Sequence, residues 1–396
     1  MKVYSRFDGS ILGEAEGTCE EKMDHNNKKP VSPMKCGKIL KESLENLRKN
    51  RDMINIYSHE TGKTIKSCQS EIDMAILYME VTGLGSIYRK FGDRSVHSGS
   101  YRKEKFSFID PSMPIFSMIH EIISNLMDGY RSGIVHPENA PLTSMYLSQE
   151  ISEKYPVFES IITDMVENDG CLEKNIQMKD REFTAWGNNK RMGFLEEKYP
   201  FKFSRIRTDN FPVVIRAYSE IAPAVERIMD ISLNSISNSG LRGQIYMIPD
   251  REFVFFKNRV GEMVKRRIEN SFGPESSHNY FLNREDTEDT KSEVEKLLNS
   301  GWDYMDELPQ TVHIITDQYS EEGTSLKEVD GPVIEIMHYG SLADCAKRLE
   351  KLQFSDRIDF TGDSSNDFEY LTEYFGSGKK IIRGKTLNEI VYDFIL

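Results

Sequence analysis

From residue 33 the apolar positions fall at helical spacing. Leu40, Leu44, Leu47 and Ile54 recur at three-, four- and seven-residue steps and predict one helix running to Gly62, where glycine serves as a C-cap. Ahead of it, residues 7–10 and 11–14 read as two short strands around a tight turn. A second helix is expected over 71–88, with Ile72, Ala75, Ile76 and Met79 on one face. The following stretch, 92–105, is polar, glycine-containing and alternating, as in a hairpin that projects from a domain. Between 106 and 208 strands alternate with helices: strands at 106–109, 133–135 and 159–162, helices at 115–127 and 142–153. Such alternation predicts a doubly wound sheet of parallel strands. A second αβ unit opens at 213–215, with helices near 222–232 and 253–268 and strands at 312–315 and 333–336. The acidic stretch 284–295 reads as a solvated loop and helix start, and residues 388–396 form an alternating, apolar ending.

Composition narrows the class. The 396 residues suffice for two or three domains, and 38% hydrophobic, 29% charged and 10% aromatic content is that of a globular protein. A net charge of −13 and a pI near 5.3 argue against a general phosphate-binding surface, so no nucleic-acid partner is expected. The basic run Val264-Lys265-Arg266-Arg267 reads as a solvated helix face. No apolar run approaches the roughly 20 residues of a membrane helix, so no membrane partner is expected. The first residues lack the apolar core of a signal peptide. Five cysteines (Cys19, Cys36, Cys68, Cys171, Cys345) are odd in number and scattered, which fits reduced thiols in the cytoplasm. The eight histidines show no metal-ligand spacing, so no metal site is expected.

Five stretches carry a resemblance. They are His59-Glu60-Thr61-Gly62-Lys63; Ser70-Glu71-Ile72-Asp73-Met74-Ala75; Ile109-Asp110-Pro111-Ser112-Met113-Pro114-Ile115-Phe116; His136-Pro137-Glu138-Asn139-Ala140-Pro141-Leu142-Thr143-Ser144-Met145-Tyr146-Leu147; and Glu328-Val329-Asp330-Gly331-Pro332-Val333. In this order they resemble the aldehyde dehydrogenases. The resemblance implies an α/β fold. Residues 1–206 would form a Rossmann-like cofactor-type domain with a projecting hairpin at about 90–106. Residues 207–378 would form a catalytic-type αβ domain, and 379–396 a small β element that pairs subunits.

The chemistry of that family needs a nucleophile, a base for deacylation, an oxyanion donor and a bound nicotinamide. At the nucleophile's place the chain reads Asn234-Ser235-Ile236-Ser237-Asn238-Ser239-Gly240-Leu241-Arg242-Gly243-Gln244, with Ser239 nearest and no cysteine. Cys171 is a displaced candidate in a turn after Asn168-Asp169-Gly170. The family's base falls on Ile206, with Asp209 three residues on, and its oxyanion asparagine is lost in the shortened Pro111-Ser112-Met113-Pro114. No catalytic residue is therefore assigned.

The cofactor positions implied by the resemblance are Glu328 at the nicotinamide ribose, His136 in place of the family's lysine, and Gly187 in the turn that faces the phosphates. Trp186 beside it is bulky for a turn that must approach a pyrophosphate, and Asp330 replaces an aromatic wall of the nicotinamide pocket. NAD or NADP binding is expected to be weak. Three functions remain open: a non-catalytic member acting by binding or assembly, an NAD(P)-dependent aldehyde oxidoreductase with unusual or residual chemistry, and a nucleotide or small-molecule sensor. The expected partner is a second copy of the chain, or an active relative in a heteromer.

Overall fold

The structure is a computed structural model that describes residues 2–5, 9–15, 33–61, 65–80, 104–128, 130–154, 162–167, 172, 182–187, 189–199, 202–207, 213–215, 244–271, 292, 295, 302–304, 313–317, 333–351, 357–361 and 364–383. The chain divides into two compact units, Met1–Arg207 and Thr208–Asp393.

In the first unit β1 (Lys2–Tyr4) pairs antiparallel with β2 (Ile11–Glu14). The first strand thus lies ahead of the expected 7–10, and Gly9 supplies the left-handed φ of 69° used between the strands. The apolar stripe read as one helix is split into α1 (Pro33–Lys49) and α2 (Arg51–Thr61). Asn50 makes the break. Its N–H still bonds the Asn46 carbonyl at 3.1 Å, while its Oδ1 accepts the Met53 N–H at 3.2 Å and caps the next helix. Leu40, Leu44, Leu47 and Ile54 are buried as expected, because both helices carry the stripe on one face. The next helix, α3 (Ile65–Tyr78), starts six residues before the expected 71.

A five-stranded parallel sheet follows, built from β3 (Glu104–Phe108), β4 (Arg131–His136), β5 (Ile162–Val166), β6 (Glu182–Gly187) and β7 (Phe203–Arg207). Helices α4 (Pro114–Asp128), α5 (Leu142–Lys154) and α6 (Asn189–Lys198) connect them. The strand order is β5-β4-β3-β6-β7, a doubly wound arrangement. One expectation shifts here: residues 183–187, which lead into the turn expected to face the phosphates, lie in strand β6. Of the strand read at 159–162, Ile162 is among the described residues and lies in β5. Phe183 and Ala185 join a core with Phe108, Met192, Leu195 and Phe203, while Trp186 faces the opposite side of the sheet, towards α4. In β4, a Cβ on Gly133 would stand 2.4 Å from the Phe106 ring, so this close approach needs glycine.

The second unit holds a seven-stranded sheet of β8 (Val213–Ile215), β9 (Gln244–Pro249), β10 (Trp302–Tyr304), β11 (His313–Asp317), β12 (Val333–Tyr339), β13 (Arg357–Thr361) and β14 (Lys380–Arg383). Its order is β10-β11-β12-β9-β8-β13-β14, parallel except for β10. Helices α7 (Asp250–Ser271), α8 (Leu342–Lys351) and α9 (Ser365–Phe375) belong to it. Cys345, Ala346 and Leu349 of α8 and Leu371 of α9 pack on Val214, Met247, Met337, Ile358 and Phe360. Ser364 caps α9 by accepting the Asp367 N–H at 3.2 Å, and Gly376 ends it at φ 51°. Lys380–Arg383, at the front of the expected assembly strand 379–396, are the edge strand of this sheet, because their backbone pairs parallel with β13. Residues 384–396, most of the expected hairpin and the helix near 222–232 lie outside the described residues. No described helix is long and apolar enough to cross a membrane.

Candidate functional site

In a doubly wound sheet, ligands bind beyond the carboxyl ends of the strands, where the strand order reverses. Here that switch lies between β3 and β6. Helix N-termini gather along the same edge, and their unpaired amides attract anions. Two of these N-termini are already served by the chain's own buried carboxylates. Glu71 of α3 accepts the Ile115 and Phe116 N–H groups of α4 at 2.9 and 3.0 Å. Its other oxygen accepts the Tyr57 hydroxyl. Burial, followed by the charge of Glu71, pushes the Tyr57 phenol well above its ordinary range. Glu60 of α2 accepts the Leu142 and Thr143 N–H groups of α5 at 2.8 and 2.9 Å. Both motifs singled out in the sequence therefore supply helix caps from a distance.

The switch itself is crossed by Arg191, in the first turn of α6. Its Nε donates to the Trp186 carbonyl of β6 at 3.1 Å, and Nη2 donates to the Ile109 carbonyl after β3 at 3.0 Å. The guanidinium also pairs with the Glu167 carboxylate just past β5. The Glu167 N–H in turn donates to the His136 carbonyl at 2.9 Å, at the end of β4. One arginine–glutamate pair thus ties the carboxyl ends of four strands. Both side chains are largely withdrawn from solvent, at 10% and 5% exposure. Gly187, expected in the turn that faces the phosphates, is the last residue of β6 and lies against the arginine. Its φ is 147°, and an added Cβ would stand 2.6 Å from Arg191 Cδ. Neither Arg191 nor Glu167 was singled out from sequence. They are 24 residues apart, and no local spacing points from one to the other.

His136 is fully buried. Its Nδ1 lies 2.8 Å from Ser144 Oγ and its Nε2 2.8 Å from Asp164 Oδ1. Because that carboxylate can only accept, Nε2 carries a proton. The other Asp164 oxygen accepts the Ser148 hydroxyl at 2.6 Å. Both ring nitrogens are spent inside the domain, which corrects the expectation of a ribose contact. Trp186, expected as a bulky residue in the phosphate-facing turn, lies in β6: it is 1% exposed, and its Nε1 donates to Glu121 of α4 at 2.9 Å. Glu121, equally buried, also accepts the Ser107 hydroxyl at 2.6 Å and lies 3.3 Å from His120 Nδ1. Burial raises this carboxyl, but the His120 contact and the hydrogen bonds from Ser107 and Trp186 outweigh it and hold the group below its ordinary value.

The shortened segment Pro111-Ser112-Met113-Pro114 forms a turn closed by Asp110, whose Oδ1 accepts the Ser112 N–H at 2.7 Å. Ile206 lies in β7, in register with Trp186, and offers an aliphatic side chain where the resemblance puts a base. Glu328, Ser239, Cys171, Asp209 and Asp330 lie outside the described residues. Among the described residues no group of three or more His, Cys, Asp or Glu is placed to hold a metal ion.

By sequence, neither a family model nor a curated protein matches this chain. By structure it is similar to an aldehyde dehydrogenase 21 from Physcomitrella patens in complex with its reaction product succinate, at TM-score 0.76 and 12% identity. That match covers 98% of this chain and 86% of the other. It is similar to a NAD-dependent benzaldehyde dehydrogenase from Corynebacterium glutamicum, at TM-score 0.73 and 15% identity, over 100% of this chain and 93% of that one. A Mycobacterium tuberculosis aldehyde dehydrogenase complexed with NAD+ gives TM-score 0.74 at 13% identity, over 98% and 87%. The chain has the aldehyde dehydrogenase fold. This fold implies a nicotinamide dinucleotide, but the described residues at the switch do not fit its pyrophosphate. The Arg191 guanidinium is paired with Glu167, and its stem lies over Gly187 where the backbone would have to approach a phosphate.

Proposed function

We propose that this chain is a non-catalytic protein of the aldehyde dehydrogenase fold, acting by binding or assembly rather than by oxidising aldehydes. Ile206 carries the reading. An aliphatic side chain has no proton to take, so it cannot replace a deacylating base. A serine at 239 in place of a cysteine supports it, because an unassisted hydroxyl is a far weaker nucleophile than a thiolate. The proposal includes weak dinucleotide binding, with a Kd in the millimolar range, or about 4 kcal/mol. It also includes self-association in the cytoplasm, since Ile390-Val391-Tyr392-Asp393-Phe394-Ile395-Leu396 is too apolar to leave uncovered.

The deciding experiment is a steady-state assay of the purified protein over a panel of aldehydes with NAD and NADP. No turnover above background is the expected result. Turnover on the order of 1 per second, abolished by Ser239→Ala, would overturn the proposal. Light scattering of the full chain tests the assembly part, and a well-folded monomer at micromolar concentration would remove it.

A further inference from the structure

We propose that the layer between α4 and the first sheet holds a binding site for internal water, walled by Asn125, Ser132 and Thr184. The bound water completes the hydrogen bonding of these three side chains and fastens α4 to the strands.

The sheet sets the site. Ser107 of β3 faces α4, because its hydroxyl donates to Glu121 at 2.6 Å. Thr184 of β6 is in register with Ser107, and Ser132 of β4 is in register with Lys105, two positions earlier. Side chains alternate along a strand, so Ser107, Ser132 and Thr184 share the face that carries α4. Asn125 lies four residues beyond Glu121 on that helix and points the same way. Its Nδ2 donates to Ser107 Oγ at 3.4 Å.

The direction of these bonds decides which groups are left over. Ser107 has one hydroxyl hydrogen, and Glu121 takes it. The Asn125 amide therefore turns its nitrogen to Ser107 and its oxygen away. Asn125 Oδ1, Ser132 Oγ and Thr184 Oγ1 are all buried, and among the described residues none has a hydrogen-bond partner. Such atoms are costly, because each gives up its hydration with nothing in return. The group that suits them must donate to an amide oxygen and both donate to and accept from hydroxyls. Water does this, and a buried water typically makes about three hydrogen bonds to polar groups otherwise unsatisfied. A neutral occupant also matches the charge. The Glu121 carboxylate is already met by Ser107, Trp186 and His120, and it would repel an anion.

The test is a crystal structure of the full chain, grown once from a sodium salt and once from a tetramethylammonium salt. Ordered water is expected within hydrogen-bond distance of at least two of the three atoms in both crystals. Water at one of them or at none overturns the proposal, and so does density that is present only with sodium. Thr184→Val and Ser132→Ala read the energetics in solution. Each removes a hydroxyl that holds water, so each melting midpoint is expected to fall by about 2–4 °C, the shift of one internal hydrogen bond in a unit of this size. Discarding an idle buried hydroxyl instead relieves a cost, so a midpoint that is unchanged or raised overturns the proposal. If neither variant folds, the two crystals of the unaltered chain decide alone.

Discussion

Replacing Glu71 by alanine should unfasten α4 from α3 and lower the stability of the first unit by about 4 kcal/mol. Hydrogen bonds to a charged group contribute about 1.5–3 kcal/mol each, and among the described residues Glu71 accepts from Ile115 N–H, Phe116 N–H and the Tyr57 hydroxyl. Their sum overstates the loss, since the three share one carboxylate and do not add independently. The floor is set by what remains. Two amides, buried around a side chain only 1% exposed, would lose the acceptor that Glu71 gives them, and the Tyr57 hydroxyl would lose its bond to the same carboxylate. Breaking a buried charged contact of this kind costs about 3–5 kcal/mol. For a domain of this size, each kcal/mol moves the melting midpoint by about 2–4 °C, so a fall of roughly 8–16 °C is expected. Glu71→Gln keeps one acceptor oxygen for the two amides and should lose less than half as much. Calorimetric melting gives the midpoint, and hydrogen exchange gives the local signature, a loss of protection at Ile115 and Phe116. A Glu71→Ala protein melting within about 3 °C of the parent, with those amides still protected, refutes the reasoning.

Three further outcomes follow from the same unit. Glu121 is held below its ordinary value of 4.5 in the folded state, so its contribution is fully present above that pH and is lost as pH falls through its folded-state value. The urea midpoints of the parent and Glu121→Gln should therefore converge between pH 7 and pH 3, from a gap of about 2 kcal/mol at neutrality, and a constant gap contradicts this. Gly187→Ala puts a methyl 2.6 Å from Arg191 Cδ at a φ of 147°, and a loss of about 2–3 kcal/mol in urea unfolding is expected; a neutral result would mean the arginine is not held there. His136→Lys restores the family's residue at a site enclosed by Ser144 and Asp164, so calorimetry should find no gain in NAD affinity, and a gain of about tenfold would reinstate the ribose contact.

The alternation of strand and helix from 106 to 154 was legible because each element there is a run of apolar residues bounded by Pro, Gly or Asp. The doubly wound class followed from that alternation. The β6–α6–β7 segment was not. Phe183-Thr184-Ala185-Trp186-Gly187 reads equally well as a strand buried on both faces and as a turn, and only the Glu121 acceptor on α4 shows which side Trp186 takes. The division of the first long helix was hidden for a similar reason. The apolar stripe continues through Asn50 with its period intact, so the signal lay in the capping chemistry of one residue and not in hydrophobicity. In the candidate site, Gly187 and His136 were singled out for a ligand, whereas the structure gives each a contact within the domain. A buried histidine and a ligand histidine look the same until Ser144 and Asp164 are brought to its ring by α5 and β5. Glu60 and Glu71 were noticed as parts of motifs, yet their partners lie 82 and 44 residues further along the chain.

Those long-range carboxylates share one logic with Glu167. A parallel sheet turns the N-termini of its connecting helices towards one edge, and the result is a region of positive potential that has to be balanced. A dinucleotide-binding protein leaves part of that balance to the ligand's phosphates. Among the described residues Glu71 serves α4, Glu60 serves α5, and Glu167 pairs with the arginine at the start of α6, so internal carboxylates supply part of that balance. The consequence is thermodynamic. A protein whose edge is balanced by ligand gains stability as the ligand is added, by mass action, whereas one balanced from within gains little. The melting midpoint of the unaltered chain should therefore respond only slightly to millimolar NAD, and a rise of several degrees would show that this edge takes its balance from a ligand's phosphates.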